Sequence, residues 1–340
     1  MKAALLYGAR DLRVGTLPDP VPACGELLLR VREVGVCGSD LHFYRQDGGN
    51  APIDPAAPLL LGHEFSAEIA DERGAALGLP PGRLVAVDPA RPCEGCEWCQ
   101  RGDVNLCPNQ RFAGTPGTHG GLAEYHTAPP EAIFAVPEEF DAATAALLEP
   151  LGVAVQTLDL AHLHPMDTVA VLGAGPIGLL VAQVARVSGA GRVYIVEPLR
   201  YRRDAARRLE VDGVAEHSDA VLGWTNGRGA DVVLESTNSS SGAVAASEVA
   251  RIGGRVVLVG IPSNDAFTFK ASLVRRKGLT VKFQRRMGRV YPRAIELVRS
   301  GRVRLGPVAT HRAPLARAPE AFALQEAYGD GVLKTMIQVR

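Results

Sequence analysis

The chain has 340 residues, 46% of them hydrophobic and 22% charged, which is ordinary globular composition and too long for one comfortable core, so two domains are expected. Lys+Arg and Asp+Glu both number 37. That balance speaks against nucleic acid or an anionic membrane as the partner and points to a small molecule.

From the start to about residue 150 the chain runs in short β-like segments, KAALLY, ELLLRVREVGV, FSAEIA and RLVAVDP, broken by Gly and Pro. They predict an irregular β-rich unit. MKAALLYG lacks the basic, apolar and small-residue parts of a secretion leader, and with the clustered cysteines this gives the expectation of a reducing cytoplasm.

Two clusters in this unit carry metal-binding residue types: Gly35-Val-Cys37-Gly-Ser39-Asp-Leu-His42, then Gly62-His63-Glu64. Singly, each has a plain structural reading, Cys37 as a small hydrophobe, His63 as a core histidine, Glu64 as an ion-pair partner. Together, Cys, His and Glu make a three-ligand zinc site with an open fourth position.

The run CEGCEWCQRGDVNLC places Cys93, Cys96, Cys99 and Cys107 within fifteen residues. Two-residue gaps let successive thiolates converge on one tetrahedral ion, so a structural zinc is predicted in preference to disulfides, a redox pair or buried thiols. Glu149-Pro150 follows in the apolar run AATAALLEPLGVAV, where a buried carboxylate needs a partner such as a metal ion.

After Pro150 apolar strands alternate with helical segments: TVAVLGA, IGLLVAQVARVSGA, RVYIVEP, RYRRDAARRLEV, ADVVLEST, SGAVAASEVARI and RVVLVGI. That alternation predicts a parallel α/β sheet. Thr168 to Ala185 is free of charge over eighteen residues and imitates a membrane span, but Gly173, Gly175, Pro176 and Gly178 interrupt it where a strand turns into a helix.

The same turn, Gly173-Ala-Gly175-Pro176-Ile177-Gly178, fits G-x-G-x-x-G in its strand-to-helix context and predicts a dinucleotide site with the phosphates at the helix N-terminus. Glu197 ends the next strand, nineteen residues after Gly178, where it can accept from a ribose 2′-hydroxyl and favour NAD. Arg200, Arg202 and Arg203 follow and are able to receive a 2′-phosphate or to form a solvated helix face. Beyond about residue 285 the elements shorten, and VLKTMIQV is expected to pair back into the first unit.

In this order, GVCGSDLH, LGHEF, the four-cysteine lobe, LLEP and GAGPIG resemble the zinc-dependent medium-chain dehydrogenases along essentially the whole chain, and most of all their polyol branch of sorbitol, xylitol and iditol dehydrogenases. The resemblance implies an α/β fold: a GroES-like β-rich catalytic domain, residues 1–150 and 286–340, with a doubly wound Rossmann domain, residues 151–285. It implies two zinc ions per chain, one held by Cys37, His63 and Glu64 with Glu149 as alternative or water-bridged carboxylate, and NAD as hydride acceptor from a secondary alcohol. Ser39 and His42 fall where the family passes the substrate proton outward. A homotetramer or dimer is expected on the same ground.

For the substrate, Arg286 matches an arginine that holds polyol hydroxyls, and Phe112 an apolar wall of the pocket, with Phe43 beside the relay histidine. Met287, Arg285 and Phe43 depart from the branch's tyrosine, phenylalanine and tyrosine. The extra arginines raise a second substrate class, an aldonate or phosphorylated polyol, against the plain alternative of a basic surface loop. Threonine 3-dehydrogenase is disfavoured because Ala90 and Leu106 stand where that branch tends to carry histidines. A non-catalytic nucleotide-binding reading is kept as the contrasting class, with metal content as its discriminator.

Overall fold

The computed structural model describes residues 1–47, 50 and 52–339. Its larger β-sheet has seven strands. At its centre is Leu27–Gly35, whose side chains alternate between buried and half-buried, as a strand with one face on a core requires. Glu64–Ile69 and Tyr125–Ala128 pair with it, both antiparallel. Lys334–Gln338 pairs with it too, Met336 opposite Gly35 and Ile337 opposite Val34, so the chain end does return to the first unit. The core beneath gathers Leu29, Val31 and Phe65 with Phe322 and Ile337.

A second sheet has six strands, all parallel, and runs from Thr168–Leu172 to Thr280–Phe283. Its spatial order is third, second, first, fourth, fifth, sixth in chain order, the doubly wound arrangement whose switch point lies beside the first strand. Alternate residues of that first strand feed two cores on opposite faces, Val169 and Val171 with Leu151 and Leu179, Ala170 and Leu172 with Ala243 and Ala246. The charge-free stretch thus resolves into a buried strand, a glycine turn and the helix Pro176–Val187. Among the described residues no helix is long and apolar enough to cross a membrane.

Two elements differ from the sequence reading. The helix predicted over SGAVAASEVARI stops at Val249, and Ala250 opens a strand that continues to Leu258. Lys277 donates to the carbonyls of Ser247, Glu248 and Ala250 at 3.0, 2.7 and 2.6 Å, so an ammonium takes the free acceptors where the helix ends. Residue 150 lies inside the helix Leu148–Ala161, so the chain passes between the two sheets along a helix and not through a loop.

Candidate active site

Backbone pairing assembles the metal-binding residue types. Gly35 lies opposite Glu64 in the central sheet, and a Cβ there would stand 2.3 Å from Glu64 Oε2, so only glycine leaves room for this carboxylate. Cys37 caps the helix Gly38–Arg45, and its ligand atom lies within 4.8 Å of those of His63 and Glu64.

Asp40 holds the set in place. Its carboxylate accepts from Cys37 N at 2.9 Å and Gly62 N at 3.3 Å, and Oδ1 lies 3.3 Å from His63 Nδ1. With Nδ1 so engaged, Nε2 of His63 is left facing Cys37 and Glu64, a tautomer suited to a metal. Ser39 Oγ stands 3.4 Å from Cys37 Sγ and 3.3 Å from His63 Nε2.

Glu64 is 1% exposed and Lys334, from the returning strand, 2%. Lys334 Nζ donates to Glu64 Oε1 at 2.7 Å, to Oε2, and to Val36 O at 3.2 Å. Burial alone pushes this ammonium towards neutrality, but the charges of Glu64 and Cys37 outweigh it and raise it. Glu149 sits buried in the first turn of Leu148–Ala161. Burial pushes its carboxyl up to about 8, His63 opposes, and Glu64 adds to the rise. Glu149 is not part of the compact Cys37, His63 and Glu64 cluster. A thiol, an imidazole and a buried carboxylate around one point are a donor set for a divalent cation, and zinc fits it.

The second cluster is closed. Sγ atoms of Cys93, Cys96, Cys99 and Cys107 lie within 4.8 Å of one another, and none of these cysteines is in a disulfide. A backbone hydrogen bond from Gly95 helps pull the Cys93 thiol down to about 6, while burial pushes Cys99 up to about 12. A cation that binds all four as thiolates removes that conflict. The lobe also braces another loop: Asn105 Nδ2 donates to Arg285 O at 3.0 Å and Arg285 Nε to Asn105 O at 3.1 Å.

Arg286 lies in the same loop with a left-handed backbone, φ 50°. Its guanidinium stacks 3.7 Å above the Phe112 ring and donates to Gln110 Oε1, and the Phe112 ring lies 5.3 Å from that of His63. Burial lowers the Arg286 pKa to about 10. Met287 instead faces inward, so close to Gly152 that a Cβ there would meet its sulfur at 2.1 Å, which gives this departure a packing reason. Phe43 packs on the β-rich core.

At the glycine turn, Gly173 has φ +96°, and a Cβ on Gly178 would fall 1.9 Å from Gly173 O. Gly175 caps the helix Pro176–Val187, and a Cβ there meets only Arg202, at 3.6 Å. One glycine makes the turn, one packs helix on strand and one leaves space before the helix N-terminus, an arrangement suited to a pyrophosphate. Pro176 and Ile177 start the helix. Glu197, 3% exposed, accepts from Ala174 N at 2.8 Å and Leu199 N at 2.9 Å. Of the three arginines, Arg203 is committed to the carbonyls of Glu197 and Pro198 and to Glu216, and Arg200 is exposed. Arg202 lies over the Tyr328 ring, 4.6 Å from its centroid.

Residues 23–138 match the family model of the alcohol dehydrogenase GroES-like domain, and residues 176–300 that of the zinc-binding dehydrogenases. The sorbitol dehydrogenase of Bacillus subtilis (strain 168) is 30% identical over 99% of this chain and 97% of its own. This chain belongs to the zinc-dependent medium-chain dehydrogenases, on their polyol branch. Two solved structures share the fold. A zinc-binding dehydrogenase from Sinorhizobium meliloti 1021, bound to NADP, has a TM-score of 0.89 and 29% identity over 99% of this chain and 98% of its own. An alcohol dehydrogenase from Escherichia coli CFT073, complexed with NADH, has 0.89 and 27% over 99% of both chains.

Several residues of this dehydrogenase site escaped the sequence reading. Asp40 sat unremarked between Ser39 and His42, although an acid within a Cys-x-x-x-x-His stretch is a candidate to orient a ligand. Lys334 is 270 residues from Glu64, and nothing local marks it. Gln110, which takes a hydrogen bond from Arg286, gave no signal either.

Proposed function

We propose that this dehydrogenase oxidises a secondary hydroxyl of a polyol or sugar-like alcohol to the ketone, with NAD as hydride acceptor and two zinc ions per chain. The observation that carries the substrate class is the stack of Arg286 on Phe112 against His63, which puts a polyhydroxyl-binding fork one ring away from the metal ligands.

Bound at Cys37, His63 and Glu64, zinc supplies Lewis acidity that makes an alcohol proton easier to lose near neutral pH. The chain's own groups do the rest. Phe112 walls the pocket against water, and Arg286 and Gln110 orient hydroxyls remote from the reacting carbon. Ser39 accepts the alcohol proton as its own hydroxyl proton moves on to His42, one turn further on the same helix, which passes it outward. Glu149 would be a second carboxylate available to zinc while Lys334 holds Glu64.

NAD is favoured because the Glu197 oxygens each spend one lone pair on a backbone N–H and keep another for ribose hydroxyls, while Arg202 is the cation placed to tolerate a 2′-phosphate. We also assign residues 1–150 and 286–340 to the catalytic domain and 151–285 to the cofactor domain, in a cytoplasmic homo-oligomer.

The test is nicotinamide reduction against polyols, aldonates, cyclic polyols and threonine, with NAD and NADP in parallel, on protein whose zinc is quantified. Polyol activity that disappears in Cys37→Ala while one zinc per chain is retained supports the reading. Two bound zincs with no polyol activity would overturn the substrate class.

A further inference from the structure

The helix Gly38–Arg45 ends on Gln46, whose left-handed backbone, φ 57°, turns the chain back on itself. Asp47 N donates to His42 O at 3.0 Å, which brings the Asp47 side chain beside the ring of the histidine five residues earlier. Oδ1 meets His42 Nδ1 within hydrogen-bonding distance. Oδ2 accepts from Arg45 Nε at 2.7 Å. Both oxygens of Asp47 are therefore spoken for, one on the ring and one on a guanidinium.

Two groups compete at His42 Nδ1. A carboxylate there demands a ring N–H, whereas Arg45 Nη2, 3.5 Å away, would demand a lone pair. The carboxylate is closer, and the guanidinium is already engaged on Oδ2, so Nδ1 carries the hydrogen and Nε2 is the acceptor. Arg10, from the turn near the chain start, adds a second cation facing Asp47, and is itself held by Glu326 at 2.7 Å. Partial burial tends to raise the Asp47 carboxyl, but the hydrogen bonds from Arg45 and His42 outweigh it and hold it below the usual carboxylate range.

We propose that Asp47, clamped by Arg45, is the positioning residue of the proton exit, fixing His42 in the Nδ1–H tautomer so that Nε2 can receive the substrate's proton. This rests on the reading of His42 as the relay. The covalent balance is simple: a proton arrives at Nε2, the Nδ1–H bond to Asp47 stays intact, and the imidazolium later returns the Nε2 proton to solvent.

Asp47→Asn keeps the shape but offers an amide that can donate to Nδ1 and invert the tautomer, as the corresponding change does in a Ser-His-Asp triad. With a polyol substrate, Asp47→Asn is expected to lower kcat about tenfold to hundredfold, up to the lower end of the range for general acid-base catalysis, with KM little changed. Asp47→Glu, which retains a carboxylate, recovers most of the loss, and Arg45→Gln gives a smaller loss of the same kind. Nitrogen-15 NMR of histidine-labelled protein reads the tautomer without turnover, the His42 signals being assigned by their disappearance in His42→Gln. Wild type is expected as Nδ1–H and Asp47→Asn as Nε2–H or a mixture.

An unchanged tautomer in Asp47→Asn overturns the proposal, as does a kcat within twofold of wild type. If His42→Gln itself leaves kcat unchanged, the relay reading fails first. If His42→Gln is slow and Asp47→Asn is not, only the role of Asp47 fails.

Discussion

Lys334 and Glu64 form a buried ion pair across two strands that are neighbours of Leu27–Gly35 on opposite sides, with Nζ 2.7 Å from Oε1. Glu64 also belongs to the cluster proposed to hold a metal, so the carboxylate has two suitors, an ammonium of this chain and a divalent ion. Lys334 thus offsets the negative charge that a thiolate and a carboxylate bring into a dry site.

Removing only the cation strands that carboxylate. Lys334→Met is expected to destabilise the protein by about 3–5 kcal/mol, the usual cost of breaking a buried pair on one side. Adding Glu64→Gln should restore part of the loss, because a neutral amide needs no counter-charge. Urea unfolding of the four proteins at fixed zinc gives the coupling directly. Losses that simply add would mean that the two groups do not stabilise each other.

The glycine turn separates a packing requirement from a binding requirement. Gly178→Ala drives a methyl to 1.9 Å from a backbone carbonyl, which must shift, so a loss of about 1–3 kcal/mol and a lower Tm are expected. Gly175→Ala meets only the end of the Arg202 side chain at 3.6 Å and should fold with an almost unchanged Tm. Its methyl nevertheless occupies the approach to the helix N-terminus, and NADH affinity should fall at least about tenfold. Calorimetric titration and thermal melting distinguish the two, and equal effects on both readouts would reject this division of labour.

What the sequence made legible was chemistry with a local signature. The cysteine spacing, the glycine turn after a strand and the Cys37 and His63–Glu64 motifs each depend on residues close in the chain, and the folded protein brings each set together. Partners supplied by strand pairing were hidden, because register is a non-local property: Lys334 reaches Glu64 only once Met336 lies opposite Gly35. The helix over 241–252 was overextended for a related reason, since Ala250 pairs with Ala230 of the neighbouring strand and tertiary pairing outweighs the helical pattern. Met287 was read as a change in the substrate pocket, yet its side chain is 2% exposed and packs on Gly152.

The four-cysteine lobe reaches the loop of Arg286, proposed above to bind substrate, through one buried side chain. Asn105 is 8% exposed and donates to the Arg285 carbonyl, the residue before Arg286. Asn105→Ala removes that bond, worth about 1 kcal/mol, and lets the loop carrying Arg286 wander. The expected result is a polyol KM raised several-fold with kcat nearly unchanged and the zinc content intact. A kcat loss matching the KM change, or a lost zinc, would place the defect in the metal sites instead.

His126 sets an acid limit on stability that does not depend on catalysis. It lies buried with its ring 4.9 Å from that of Phe65, and burial, reinforced by the charge of Arg91, lowers its pKa from 6.5 to about 3. Between these two values the unfolded chain binds a proton that the folded chain refuses, so stability is complete above pH 6.5 and is lost as the pH falls towards 3. By pH 5 the cost is about 2 kcal/mol. His126→Asn cannot take up that proton, so although it loses packing at pH 7, its unfolding free energy should fall less between pH 7 and pH 5 than that of wild type, by about 2 kcal/mol. Urea unfolding of both proteins at the two pH values measures this difference directly, since titrations common to both cancel. Parallel losses in the two proteins would show that His126 is protonated in the folded state as readily as in the unfolded one.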